Sequence, residues 1–419
     1  MIWEDVIIKN VVEFYIESAD HNGLPLRLLS FKDDVVINAI EHLIDRGEIS
    51  VNFGDIHMNP HIQAFEPHAK DVQLRLLKEK DLNMACLYPT RKVLKEVVKA
   101  DEYSDRPYFL CLRLGVPQLE LRFFKLSVLE YYRNDPRFYY DVTDYEGHIG
   151  LRSKHYESRN VDSSDKTFLR SFGFGYSEDL KIRVVVAFIR YLADMTPEHQ
   201  RIWEANELSG SFSAHPAYIM ASSGQTPNGV PIFIAFVEEL KQINILSRLM
   251  DRVPLFSKDF TEAERPKDFG YLIRPTLREY RNFVGLLDKL MSENLNVKFF
   301  RKEINTKDEF IEKNGTRRVV DLGSISILEK WLSKYFQTDE QEEVNKMIEC
   351  FRRVRKERQP IAHKIEQDEF SMKFLNQQRE LIFDAYMALR TLRLILMNAP
   401  GTSAYSPPRW LSEAKFYVY

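Results

Sequence analysis

The spacing of apolar positions changes along the chain, and the changes divide it into segments. Val6, Ile7, Val11 and Phe14 recur at helical spacing near the start. A second helix is predicted over roughly Lys32–Arg46, with Val35, Val36, Ala39, Ile40, Leu43 and Ile44 on one face and Gly47 as its stop. GEISVNF and DIHMNPHIQAF then read as two strands joined at Gly54-Asp55. Helix, helix, hairpin is the order of a winged helix. Residues 66–100 read as charged helix (LRLLKEKDL, RKVLKEVVKA).

Between 101 and 265 the pattern is mixed. FFKLSVLEYY (123–132) reads as helix, FYYDV and HIGLR as strands, and KIRVVVAFIRYL as strand or buried helix. SFGFGY (171–176) lacks the glycine spacing and the GKS or GKT of a phosphate loop, so it predicts a bend or tight packing. The Ser/Gly/Pro-rich stretch from Ser209 to Pro231 is expected to be a long surface loop.

From 270 to 398 the helical period dominates. Leu277, Tyr280, Val284, Leu287 and Met291 form one stripe. Residues 296–322 predict an inserted hairpin with Asn314-Gly315 at its tip. A helix follows over Ser324–Phe336. Thr338 with Gln341 three on makes a capping box for the next, whose buried face is Val344, Met347, Ile348, Phe351 and Val354. The last helix starts near Phe370 and runs to Met397, lined by Phe374, Leu381, Ala385, Leu389, Leu392 and Leu396. Four amphipathic helices with mostly short joints predict a bundle. The expected fold is therefore mainly helical α+β and multidomain. It comprises a winged-helix-like and helical N-terminal region (1–100), a mixed α/β middle domain (101–265), a four-helix bundle (270–398) and a C-terminal tail (399–419).

Composition narrows the partners. The net charge of −3 pulls the whole chain onto no polyanion, so nucleic-acid contact needs a local basic patch. The predicted helix Lys32–Arg46 is no such patch: Lys32 and Arg46 face Asp33, Asp34, Glu41 and Asp45. Cys86, Cys111 and Cys350 stand too far apart for a disulfide framework or a zinc pair, which suits a reducing cytoplasm. The acidic start MIWEDVIIKN is unlike a signal peptide, and the longest apolar runs, such as VVVAFI (184–189), are too short to span a bilayer. A cytoplasmic protein without a membrane partner is expected.

One stretch concentrates candidate chemistry: RVRKERQPIAHKIEQDEF, residues 353–370. Cations in the last turn of a helix oppose the negative end of its dipole, which accounts for two or three of them. Pro360 suits the first turn of a new helix, where its missing N–H costs nothing. His363 would then sit at a positive helix end, neutral near pH 7 and able to accept a proton. Arg358 and His363 are separated by four residues, and no other histidine of the ten has an arginine five to seven positions upstream.

This Arg-x4-His spacing, at the start of the last long helix of a four-helix bundle, resembles the HEPN superfamily over roughly residues 270–398. Many members carry an asparagine or another small polar residue directly after the arginine; here Gln359 stands there and keeps hydrogen-bonding capacity. The resemblance implies a metal-independent endoribonuclease without a cofactor, acting as a growth-arresting toxin or antiviral defence effector. It implies a homodimer too, because acid and base together need two histidines and one protomer offers one. A regulatory or trigger protein would hold such a nuclease in check.

The residue types suit that chemistry. The 2′-OH of RNA is the nucleophile. Its proton needs a base, the 5′ oxygen needs an acid, and the phosphate needs positive charge. His363 can move the protons, and Arg358 can fork onto two phosphate oxygens. Arg355 and Lys364 could hold flanking phosphates, with Gln359 as a further RNA contact. The other reading of Arg358 and His363 is a helix-terminus charge pair in an inactive bundle. The chain would then be a DNA-binding regulator or the scaffold subunit of a defence complex.

Weaker candidates lie elsewhere. His199 beside Glu198 reads as capping and solvation. His57 and His61 flank Asn59-Pro60, which opposes the helix a metal pair would need. Asp141, Asp144 and Glu146 read as a solvated turn.

Overall fold

The computed structural model describes residues 2–29, 34–158, 160–179, 182–261, 264–266, 268–300, 303–311, 317–336, 341–358 and 367–418. The fold is mixed α+β, about half of it helical. Contacts divide the chain into two units, Met1–Tyr176 with Val184–His215, and Ser177–Arg183 with Pro216–Tyr419. The helix after Pro231 falls in the second unit.

In the first unit, helices α1 (Ile2–Glu17), α2 (Asp34–Asp45) and α3 (Lys70–Glu79) accompany a three-stranded antiparallel sheet. Its strands are β1 (Leu24–Pro25), β2 (Ile49–Phe53) and β3 (Ala85–Pro89), in the order β1-β3-β2. Val36, Ala39, Ile40, Leu43 and Ile44 of α2 are buried as their spacing requires, whereas Val35 faces solvent. Gly47 takes φ +67° just after α2, a conformation that favours glycine.

The expected hairpin over residues 47–65 does not form. The chain turns back at Ile56 and His57, both donating to Phe53 O, and β2 pairs instead with β3. Pro60 has no N–H to give a ladder, and Asn59 Oδ1 accepts from the His61 N–H to make a turn. ACLYP, by contrast, buries all five residues. The region 66–100 is therefore α3, β3 and a short helix α4 (Arg91–Val97), not one helical stretch.

Helix α5 (Pro107–Arg113) leads into a larger sheet of six strands. Its main path is β4 (Leu121–Phe124), β8 (Arg183–Phe188), β7 (Phe168–Ser177), β6 (Glu146–Leu151) and β5 (Phe138–Val142), with β9 (Phe212–Ala214) on β7. The helix expected over 123–132 starts only after Phe123 and Phe124 have joined β4, where Phe124 meets Trp203 edge-on at 4.8 Å. Trp203 lies on α6 (Pro197–Glu204). SFGFGY is extended within β7, and a Cβ on Gly175 would lie 2.6 Å from Ser213 O of β9, so tight packing explains that glycine. KIRVVVAFIRYL is both things in turn: β8, then helix over 189–193.

The expected surface loop 209–231 instead holds strand β9 and, from the start of the second unit at Pro216, a helix over 216–222 and strand β10 (Val230–Pro231). Helix α7 (Ile232–Leu249) follows and is buried over most of its circumference, Glu239, Gln242, Asn244 and Ser247 included. Such a helix must be covered on several sides, and it packs along the last long helix rather than ending the middle segment. The four helices expected from periodicity all form: α8 (Leu277–Leu290), α9 (Ser324–Tyr335), α10 (Gln341–Arg358) and α11 (Lys373–Met397). With α7 the bundle has five. Arg393 of α11 and Glu239 of α7 form a fully buried two-hydrogen-bond pair at 2.5 and 3.1 Å, which pins their register.

The hairpin expected over 296–322 is β11 (Lys307–Ile311) paired with β12 (Arg317–Asp321). Its tip at Asn314-Gly315 and the capping residue Thr338 lie outside the described residues. The segment read as a tail folds back as β13 (Phe416–Tyr417), parallel to β10, with Phe416 against Tyr386 at 4.6 Å. Among the described residues no helix is long and apolar enough to cross a membrane.

Candidate functional site

The arginines at the end of α10 are placed by its buried face. Met347, Ile348, Cys350, Phe351 and Val354 point inward, so Arg352, Arg353, Arg355 and Arg358 leave the helix around the remaining circumference. Arg355 and Arg358 are one turn apart and converge on a single carboxylate. Arg355 Nε donates to Asp288 Oδ1 at 2.9 Å, and Arg358 Nη1 donates to Asp288 Oδ2 at 2.7 Å. Arg358 Nη1 also donates to Glu293.

Asp288 is fully buried in the last turn of α8. An acid there sits at the negative end of its own helix dipole, so it needs cations beside it. The two arginines supply them, and as cations in the last turn of α10 they also oppose the negative end of that helix's dipole. The carboxylates of Asp288 and then Glu293 hold the Arg358 guanidinium further into its charged form. About a third of each arginine side chain remains open to solvent.

The rest of the cationic run is engaged by other acids. Arg352 bonds Glu329 of α9. Arg353 donates from Nε to Glu357 at 3.0 Å and from Nη1 to Asp384 of α11 at 2.8 Å. Glu357 also accepts from the Tyr280 hydroxyl at 2.7 Å. Burial, and then Glu357, push that hydroxyl's pKa up. Tyr280 and Glu357 line a cavity of about 330 Å³ with Arg281, Lys373, Phe374 and Gln377. Backbone bonds close this end of the bundle, from Leu277 N to Glu369 O and from Ser371 N to Pro275 O, both at 2.8 Å.

Of the residues picked out by sequence, the structure thus brings Arg355 and Arg358 together. Gln359, His363 and Lys364 lie outside the described residues. Asp288 was missed, although a signal exists: it stands four residues after Val284 and three before Met291, both buried, an acid inside an apolar stripe. Glu293 and Glu357 carry no comparable signal, because exposed acids are common.

The weaker candidates resolve differently. His199 is buried, not solvated: its Nδ1 shares a hydrogen bond with the Tyr132 hydroxyl at 2.8 Å, and Trp203 Nε1 donates to that hydroxyl at 3.0 Å. Burial lowers the pKa of His199. His61 Nδ1 lies 3.4 Å from Cys86 Sγ, and the His57 ring lies tilted against His68 with ring centres 5.7 Å apart. Asp144 is buried, not solvated. Among the described residues no three His, Cys, Asp or Glu side chains gather as a metal site. No protein-family model matches this chain, and no curated protein or solved structure matches it either.

Proposed function

We propose that the second unit is a HEPN-type endoribonuclease that cleaves RNA by 2′-OH attack, without a metal. Arg358 and His363 act at the phosphate, and Arg355, Gln359 and Lys364 hold the RNA. A cytoplasmic homodimer supplies two histidines, and the winged-helix-like N-terminal region with the mixed middle domain restrains or recruits. The supporting observation is the convergence of Arg355 and Arg358 on buried Asp288. Each arginine is held by one nitrogen, Nε in Arg355 and Nη1 in Arg358. Among the described residues the other guanidinium nitrogens are unengaged, so both cations are oriented before an anion arrives. An oriented donor loses little further freedom on binding and reorganises little as phosphate charge develops.

A second reading, an inactive scaffold, is favoured by the carboxylates on Arg352, Arg353 and Arg358, which leave little free positive charge. The two separate in one assay. Wild type, Arg358→Ala and His363→Ala are incubated in EDTA with total tRNA and with a single-stranded RNA. Cleavage leaving 2′,3′-cyclic phosphate ends, lost in both variants, supports the nuclease. No cleavage by wild type, with or without a phage-infected lysate, rejects it in favour of the scaffold.

A further inference from the structure

The cavity of about 330 Å³ at the closed end of the bundle has the make-up of a site for a small, flat, polar molecule. Its volume stands at the lower end for small-ligand pockets, roughly 300–1,000 Å³. Val284, Tyr280 and Phe374 form its apolar side, the two rings stacked with centres 5.6 Å apart. Facing them is Glu357. Its Oε2 accepts from the Tyr280 hydroxyl at 2.7 Å and its Oε1 from Arg353 Nε at 3.0 Å, so the carboxylate is held in one orientation. A carboxylate oxygen accepts two hydrogen bonds, so each keeps one acceptor position, and about a third of the side chain stays open to solvent. Gln377 and Lys373 stand exposed at the rim. Lys373 bonds Glu369 at 2.7 Å, but both side chains are half in water, where such a pair is worth little and a phosphate can replace the acid.

Position ties the cavity to the arginines. Val284 and Asp288 are four residues apart on α8, one turn or about 6 Å. Glu357 directly precedes Arg358. We propose that the cavity is a base subsite of the ribonuclease and that it takes guanine, with Glu357 accepting from N1–H and N2–H. Guanine is the one RNA base whose Watson–Crick edge sets two N–H donors side by side, and a carboxylate sets two acceptors side by side. Adenine, cytosine and uracil each set an acceptor next to the donor, so each brings a lone pair against the carboxylate. An acceptor already oriented by Tyr280 and Arg353 loses little freedom on binding. Gln377 supplies a donor for O6, and Lys373 a cation for the phosphate. Cleavage next to guanosine follows. The inference deepens the ribonuclease reading and rests on it for RNA as the source of the guanine; the preference for guanine is argued from the cavity alone.

The test titrates the full chain in a calorimeter with nucleoside 3′-monophosphates, which hold no bond for the nuclease to cut. Guanosine monophosphate should bind about tenfold or more tighter than the adenosine, cytidine and uridine forms. Inosine monophosphate lacks the 2-amino group and should bind about tenfold more weakly than guanosine. Glu357→Gln sets a donor beside an acceptor, so guanosine should weaken about tenfold while adenosine or cytidine gains, and a misfolded variant would gain nothing. Equal affinities for the four bases, inosine bound as well as guanosine, no binding of guanosine monophosphate, or a guanosine preference that survives Glu357→Gln would overturn the proposal. Mapping the cut positions on a single-stranded RNA separates the two readings. Cuts that ignore guanosine sink the subsite alone. Selective binding of guanosine monophosphate with no cleavage sinks the ribonuclease reading alone and leaves a site for a free guanine nucleotide.

Discussion

The Asp288 cluster makes a demanding prediction, because removing more of it should cost less. In the double variant Arg355→Ala/Arg358→Ala, the Asp288 carboxylate, fully buried in the wild type, loses both side-chain partners. Breaking a buried ion pair from one side costs about 3–5 kcal/mol, because an uncompensated charge remains. In Asp288→Ala the situation reverses. The arginines are already about one-third exposed and can turn to water, so the loss is two charge-assisted hydrogen bonds in a half-wet site, about 1–3 kcal/mol. The triple variant carries no bare buried charge and should resemble Asp288→Ala, which makes it more stable than the double. Hydrogen exchange of peptides from α10 (341–358) is the assay, because it reads local opening without assuming two-state unfolding of the whole chain. The double variant should lose protection by about a hundredfold or more, and adding Asp288→Ala should recover at least about tenfold of it. If the triple variant is as exposed as the double, or if Asp288→Ala alone matches the double, Asp288 is not the anchor described here.

Other consequences can be checked singly. Glu293→Gln removes an exposed carboxylate that competes for Arg358, so the affinity for a single-stranded RNA should rise several-fold, with a steeper salt dependence in a filter-binding assay. Glu239→Ala strands the nearly inaccessible Arg393 and should destabilise the second unit by about 3–5 kcal/mol, whereas Glu239→Leu/Arg393→Met should recover most of that in urea unfolding. Burial lowers the folded-state pKa of His199 below its unfolded value, so the unfolded chain binds its proton first as the pH drops. Stability from His199 is then complete above about pH 6.5 and falls as the pH drops from there toward the lower folded value. The slope is at most about 1.4 kcal/mol per pH unit, and it should flatten in His199→Gln when unfolding midpoints are compared at pH 7.5 and 5.5.

How far the fold could be read in advance depended on whether a local pattern had one structural solution. The helical stripes at 277–290, 324–335, 341–358 and 373–397 did: an apolar face at period 3.6 can be buried in only one way. The hairpin 307–321 and the Gly47 stop also follow from neighbouring residues, since turn chemistry acts over a few positions. What failed was pairing at a distance. GEISVNF is a strand on its own evidence, but its partner ACLYP lies across an intervening helix, and nothing local marks the two as neighbours. Helix α7 is buried on several sides, and periodicity cannot say which of several elements covers it; the buried Glu239–Arg393 pair, 154 residues apart in the chain, shows that it lies on α11. The same division runs through the candidate site. The cationic run and its helix end are visible as residues 353–358, because charge and dipole act locally. That two of those arginines share one buried acid, while Arg352 and Arg353 reach acids on other helices, was decided only by packing. A carboxylate's partner depends on which helix ends fold together, and sequence spacing carries no record of that.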